Sequence, residues 1–421
     1  MPFPHEKNNK SIMSIKSFVS CSQTQELLVN LNKELIRVIT KPGFPEWNKI
    51  TPATQLLAVY PIINPDDIIL LLGCYQGALA VHLARGLREG NLFIWDHNHT
   101  ALEMTQLSLE ANKISSFTIV SEVELPRDLY QRFSKVFLQI PKGRQLSRRW
   151  LVNARNALEI GGSLYIAGAN NEGIHSLIKD AHELFGNGRV LGYKKGNRIA
   201  QFSMSDKDFP VPEWAQAPGI APGTWVAFPL LFPNRSYQIH SLPGVFSYNH
   251  LDAGTEMLLS AISISPGDKV LDVGCGYGII GMVAASEGAA LVHLVDNNLL
   301  AIASCNETIA LNHINHTEVF AGDLLNPIGP CMYNLILSNP PFHAGFDVDY
   351  QIAHSMIKQS YEALLIGGKL MIVANRFIRY MNLIKDVFGN VSILKESEKF
   401  HVLSGLKSTE KFYSLKGKAN E

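Results

Sequence analysis

The chain runs to 421 residues, enough for two sizeable cores. With 37 basic against 37 acidic residues its formal charge is zero, which argues against a wholly charge-driven nucleic-acid binder but not against local basic patches. No apolar run has membrane-spanning length, and the N-terminus carries no signal-peptide core. The five cysteines hold no C-x-x-C pair and share no ligand spacing with the fourteen histidines. These features predict a soluble, cytoplasmic, monomeric protein with reduced thiols, and neither membrane nor metal among its partners.

Taken in chain order, the first half offers the apolar run Ile69-Leu70-Leu71-Leu72 before Gly73-Cys74-Tyr75-Gln76-Gly77, and then Asp96. Gln139-Ile140-Pro141-Lys142 follows and opens a basic run of Lys142, Arg144, Arg148, Arg149 and Arg155. Lys194, Lys195 and Arg198 form a second basic group. Such runs are either solvated helix faces or grips for phosphate, and both readings stand. Residues 209–243 are rich in proline and read as the boundary between halves. They are too apolar for a free linker, with Trp214, Trp225, Phe228, Leu230, Leu231 and Phe232 among them, and are expected to pack between domains. Residues 1–20 and 406–421 read as poorly ordered termini.

The second half carries the chemistry. Lys269-Val270-Leu271-Asp272-Val273 is a short apolar strand running into Gly274-Cys275-Gly276-Tyr277-Gly278, and 279–287 continue as a helix. Strand, glycine turn and helix open a doubly wound α/β sheet, whose ligands bind at the carboxyl ends of the strands. A second strand, 291–295, ends at Asp296, beside Asn297; acidic residues at that tip hold ribose hydroxyls. A third, 317–320, leads to Gly322-Asp323, suited to an adenine amine. The fourth, 333–338, ends in Asn339-Pro340-Pro341-Phe342. The prolines stiffen that turn and leave carbonyls free to accept, the Asn339 oxygen adds an acceptor, and Phe342 adds a flat face. Two acceptors beside a stacking surface suit a nucleobase amine or, less often, a side-chain amide.

Gly276, Gly278 and Gly281 with Asp296 also satisfy the dinucleotide fingerprint, so an NAD-dependent oxidoreductase is a rival. Asp272 speaks against it, because it would repel a pyrophosphate but hold the ammonium of an amino-acid moiety. A ligand with an amino-acid end, a ribose and an adenine but no phosphate is S-adenosylmethionine. Asp272, Gly274, Gly276, Gly278, Asp296, Asn297, Asp323 and Asn339 are the residues expected to bind it.

At this point the chain resembles a known family, the bacterial ribosomal-RNA guanine-N2 methyltransferases of the RsmC/RlmG type. Asn-Pro-Pro-Phe-His, their hallmark, stands here as Asn339 to His343. Gly244-Val245-Phe246-Ser247 and Leu251-Asp252-Ala253-Gly254-Thr255 are similar to the segment before the family's first strand. Val373-Ala374-Asn375-Arg376-Phe377 resembles the large-subunit branch more closely. The resemblance implies methyl transfer to a guanine N2 amine of ribosomal RNA or a ribosomal subunit. Asn339, Pro340 and Phe342 would be catalytic, Pro341 and His343 would touch substrate, and Phe246 and Thr255 would close over the cofactor. The same Asn-Pro-Pro-aromatic element serves adenine-N6, cytosine-N4 and glutamine methylases, so these remain alternatives, as does a silent RNA-binding protein that kept the fold.

Sliding the chain against itself by about two hundred residues exposes a duplication. Residues 69–77 lie over 270–278, Asp96 over Asp296, Asn112-Lys113-Ile114 over Asn312-His313-Ile314, and Phe185-Gly186-Asn187 over Phe388-Gly389-Asn390. In the first copy Asp272 has become Leu71, Gly276 has become Tyr75, and the Asn-Pro-Pro-Phe element has become Gln139-Ile140-Pro141-Lys142. That copy should bind no cofactor, with Asp96 a leftover. The expected organisation is two tandem Rossmann-like methyltransferase domains, a degenerate one over 1–205 and a catalytic one over 241–421, joined by a Pro-rich connector over 206–240.

Overall fold

The computed structural model describes residues 24–41, 46–206, 208–233, 235–340 and 350–408. Two seven-stranded sheets carry the chain, and their strand orders are identical. In the first the order is Phe117–Val120, Asn91–Trp95, Ile68–Leu72, Phe133–Gln139, Leu158–Ala169, Asn197–Ser203, Arg189–Lys194. In the second it is Thr317–Ala321, Leu291–Asp296, Lys269–Val273, Tyr333–Ser338, Leu364–Asn375, Phe400–Leu406, Ser392–Glu396. The first five strands of each row run parallel and the last two close antiparallel. Helices cover both faces, so the inner strands read as unbroken apolar runs. Asp272 is one exception, a fully buried carboxylate inside one of them, and the buried Lys135 and His293 are others.

The duplication reaches further than the sheets. Each copy opens with a β-hairpin, Gln25–Leu31 with Glu34–Thr40 and Val226–Phe232 with Arg235–Ser241. The two asparagines matched in sequence fasten these hairpins in the same way. Asn112 bonds the backbone of Arg37 through both ends of its amide, and Asn312 bonds that of Gln238. The second hairpin therefore belongs to the second copy, and the connector of 206–240 divides. Its earlier part packs on the first copy, where Trp214 donates to Glu183 at 2.9 Å and Gly219 accepts from Arg149 at 2.6 Å. At the other end, Leu406 closes a strand and Lys407 is buried, donating to the Leu364 carbonyl at 2.7 Å, so the expected loose terminus starts too early.

Most of the first basic run is consumed inside the fold. Arg144 and Arg148 both clamp the buried Asp180, at 2.8 and 2.9 Å. Arg149 is 1% exposed and pairs with Glu124. Arg155 donates to the Phe209 carbonyl. Lys142, Lys194 and Lys195 stay exposed.

One apolar core runs through both copies, grouping Leu146 and Trp150 of the first with Leu242, Val245 and Leu300 of the second. Beside it the loops after Asp96 and Asp296 meet antiparallel, with Asn98 opposite Asn298. His99 N–H donates to the Asn297 carbonyl at 2.9 Å, and Leu299 N–H donates to that of His97 at 2.7 Å. The two copies are thus joined about a local dyad that lies next to the strand tip at Asp296.

Candidate active site

The strand order of the second sheet reverses between Lys269–Val273 and Tyr333–Ser338, and ligands of such sheets sit outside the carboxyl edge at that point. Asp272, the glycine loop, Asp296, Asp323 and Asn339 all gather on this edge. Asp272 reaches under the loop, where its Oδ2 accepts the Gly281 N–H at 3.0 Å. That caps a helix, Ile279–Ser286, whose N-cap residue Gly278 has no side chain to do so. The other oxygen, Oδ1, is buried and has no hydrogen-bond partner among the described residues. Burial pushes the Asp272 carboxyl up to about 7, the Gly281 N–H pulls it back, and the charge of Asp296 raises it further. An unpartnered carboxylate oxygen in that setting is a receptor for a cation.

The glycines divide by role. Among the described residues a Cβ built on Gly274 would meet nothing within 4 Å, and one on Gly276 would meet only Val245 at 3.9 Å, so both present bare backbone to a crevice. Both have positive φ, +77° and +57°. Gly278 differs, since a Cβ there would lie 2.6 Å from Cys305 Sγ. It serves helix packing rather than ligand approach. Asp296 braces the loop, with Oδ2 accepting from Gly276 N–H at 3.0 Å and Oδ1 from Asn298 N–H at 2.8 Å.

Asn339 is held at one end only. Its Nδ2 donates to Asp252 Oδ2 at 3.1 Å and to Thr255 Oγ1 at 2.7 Å. A carboxylate only accepts, so the amide nitrogen must face it and the amide oxygen must face away. That oxygen is buried and without a partner among the described residues. Asp252 Oδ2 also accepts from Thr255 N–H at 2.9 Å, N-capping the helix Ala253–Leu259. One carboxylate thus starts the helix and aims the asparagine. Pro340 is buried behind it, while Pro341, Phe342 and His343 lie outside the described residues.

The first copy repeats this frame with the crevice closed. Thr51 caps the matching helix, Pro52–Val59, and Thr54 Oγ1 donates to Gln139 Oε1 at 2.8 Å. Gln139 Nε2 donates to the Gly73 carbonyl at 3.1 Å, so neither end of this amide is left over. Gly73 is hemmed in by Trp150, 3.2 Å from where a Cβ would be, in contrast to the open space at Gly274. Tyr75 holds the positive φ of the lost glycine, +48°. Between Trp95, Asp96 and Trp150 a cavity of about 10 Å³ remains, room for one water. Asp96 is no leftover, because its oxygens accept from Cys74 N–H and Asn98 N–H, both at 2.9 Å, much as Asp296 accepts from Asn298 and, one residue further along its loop, from Gly276.

The family model "Methyltransferase small domain" matches this chain twice, over residues 35–201 and 236–404. The chain belongs to the methyltransferase small domain family. Among its relatives are ribosomal RNA small subunit methyltransferases C. That of Psychromonas ingrahamii is 36% identical over 66% of this chain and 78% of its own length. That of Pseudomonas entomophila is 35% identical over 64% and 78%. A solved structure of the T. thermophilus 16S rRNA N2 methyltransferase RsmC, in complex with AdoMet and guanosine, superposes with a TM-score of 0.76. It covers 91% of this chain and 98% of its own, at 26% identity. These relatives are small-subunit enzymes, whereas residues 373–377 had suggested the large-subunit branch.

Within this small-domain methyltransferase two expected ligands meet the other copy. Asn297 turns to the dyad instead of the adenosine, because its Oδ1 accepts from Thr100 N–H and Oγ1, both at 2.9 Å, and its Nδ2 donates to Asn98. Asp323 stands at its strand tip but is ion-paired with Lys41 of the first copy. The family resemblance implied that Thr255 closes over the cofactor, whereas the fold sets it against Asn339. The role of Asp252 was missed, although its N-cap spacing to Thr255 was legible.

Proposed function

We propose that this protein transfers the methyl group of S-adenosylmethionine to the exocyclic N2 amine of a guanine in the ribosomal RNA of the small subunit, the subunit its relatives are named for. The observation carrying this reading is the Asn339 amide, locked at its nitrogen by Asp252 and Thr255 with its oxygen uncommitted at the switch point. The chain's own residues suit the cofactor: Asp272 Oδ1 for the methionine ammonium, the bare backbone of Gly274 and Gly276 for close approach, Asp296 for the ribose, Asp323 for the adenine. When bound, S-adenosylmethionine supplies a sulfonium methyl open to nucleophilic attack.

An exocyclic base amine is a poor nucleophile because its lone pair is delocalised into the ring. In this reading Asn339 Oδ1 accepts one of its N–H bonds and the Pro340 carbonyl the other, which favours the pyramidal amine and aims its lone pair. That interaction strengthens as nitrogen becomes positive in the transition state. The extra proton then leaves to water, so no strong base is required. The family resemblance gives Phe342, which lies outside the described residues, the role of stacking on the base, worth roughly 1–3 kcal/mol by analogy with single-strand binders. Labelled methyl transfer to total RNA and to ribosomal subunits tests the assignment. Label should appear in N2-methylguanosine, and label solely in N6-methyladenosine would overturn it.

Asp272 also sets a pH dependence. Its folded value of about 7 lies above the ordinary 3.8. The unliganded protein therefore holds the Asp272 contribution to stability fully below 3.8 and loses it as pH rises through about 7. An ammonium beside Oδ1 favours the ionised form. Cofactor affinity is thus expected to climb between about pH 6 and about pH 7.5, below the range where a free α-amino group itself titrates. Calorimetry at about pH 6.5, in buffers of different ionisation enthalpy, should record proton release on binding, and Asp272→Asn should remove it.

A further inference from the structure

We propose that the degenerate first copy completes the cofactor site of the second, with Lys41 acting as a positioning residue that holds the Asp323 carboxylate toward the adenine amine. The inference rests on the reading of Asp323 as the adenine ligand. Lys41 directly follows the strand Glu34–Thr40 of the first hairpin, and its ammonium pairs with Asp323 Oδ2. The two side chains are only 11% and 22% exposed. The hairpin that delivers the lysine is itself pinned, by Asn112 to Arg37 and by Ser108 Oγ to the Ile39 N–H at 2.8 Å.

The duplication supplies an internal control. The hairpin register fixed by Asn112 and Asn312 puts Leu242 where the first copy has Lys41. The parallel register of the third strands puts Val123 where the second copy has Asp323. Leu242 and Val123 are both apolar and pack in the shared core. Burying an ion pair gains no stability over an apolar pair of similar size, because desolvation cancels the attraction. The seam on one side of the dyad is thus closed without charge. On the other side, beside the cofactor crevice, it carries a lysine and a carboxylate. What this charge adds is orientation: with Oδ2 fixed by the ammonium, Oδ1 is left to accept an N–H.

Calorimetry on the full chain tests this with S-adenosylmethionine and with 5′-methylthioadenosine, which keeps the adenosine end alone. Lys41→Gln is expected to weaken both by about tenfold, the loss of one charge-assisted hydrogen bond. The KM for S-adenosylmethionine should rise likewise with kcat at saturation unchanged, and Lys41→Arg should restore most of the affinity. Lys41→Leu, which installs the residue of the twin position, should weaken binding while the protein still melts cooperatively. If Asp323→Asn weakens binding but Lys41→Gln alters only the melting temperature, the Lys41 proposal falls and the adenine assignment survives. If Asp323→Asn leaves both affinities unchanged, the adenine assignment fails and this inference fails with it.

Discussion

Asn339→Ala is expected to lower kcat by about a thousandfold while leaving S-adenosylmethionine affinity within about twofold, since it deletes an acceptor used only as charge develops on the amine. The side chain holds no part of the sheet together. Its two bonds go to Asp252 and Thr255, and Asp252 keeps its capping bond to Thr255 N–H when the asparagine is gone. Stability should therefore change little. Thr255→Val isolates the aiming step, because it removes one of the two acceptors that orient the amide and spares the cap. It should cost about tenfold in kcat, the size of one hydrogen bond. Single-turnover kinetics with saturating cofactor reads both variants, and near-normal turnover by Asn339→Ala would end the amine-clamp mechanism.

Asp296→Ala should abolish measurable cofactor binding, a loss of at least about a hundredfold, because it removes the proposed ribose acceptor and unbraces the loop at once. Its twin offers the matched comparison. Asp96 likewise takes two backbone N–H groups, that of Asn98 at the matching position and that of Cys74 one residue earlier in its loop, beside a crevice already filled by Trp150 and Gln139. Asp96→Ala leaves two donors unsatisfied and is expected to cost about 2–4 kcal/mol of stability. It should leave cofactor affinity and kcat unchanged at temperatures well below unfolding. Urea unfolding and calorimetry together separate the two. A shift in affinity with Asp96→Ala would contradict the emptiness of the first copy.

The strand tips were legible because each is local: an apolar run, a breaker and one polar residue suffice to place Asp272, Asp296, Asp323 and Asn339 on one edge. The duplication was legible because the glycine loop and the Asn112 and Asn312 segments keep their spacing. What stayed hidden depends on partners far along the chain. Nothing near Asn297 indicates that Thr100 and Asn98 will claim its amide, and nothing near Asp323 points to Lys41. The five cations of the first basic run look alike in sequence. Burial of Asp180 and of the connector decides that Arg148, Arg149 and Arg155 face inward and that Arg144 bends from the surface to pair with Asp180. Pro229 belongs to the proline-rich boundary expected to pack between domains, and it sits in a two-stranded hairpin, where a strand with one free edge tolerates the missing donor.

The loops that cross at Asn98 and Asn298 exchange main-chain bonds reciprocally, which is how two separate identical molecules would meet in a homodimer. Here a single polypeptide carries both sides, so closure is intramolecular and cannot be undone by dilution. Specific activity should therefore not depend on enzyme concentration. One lobe could then lose its ligands without the pairing being lost, leaving the other with a permanent neighbour.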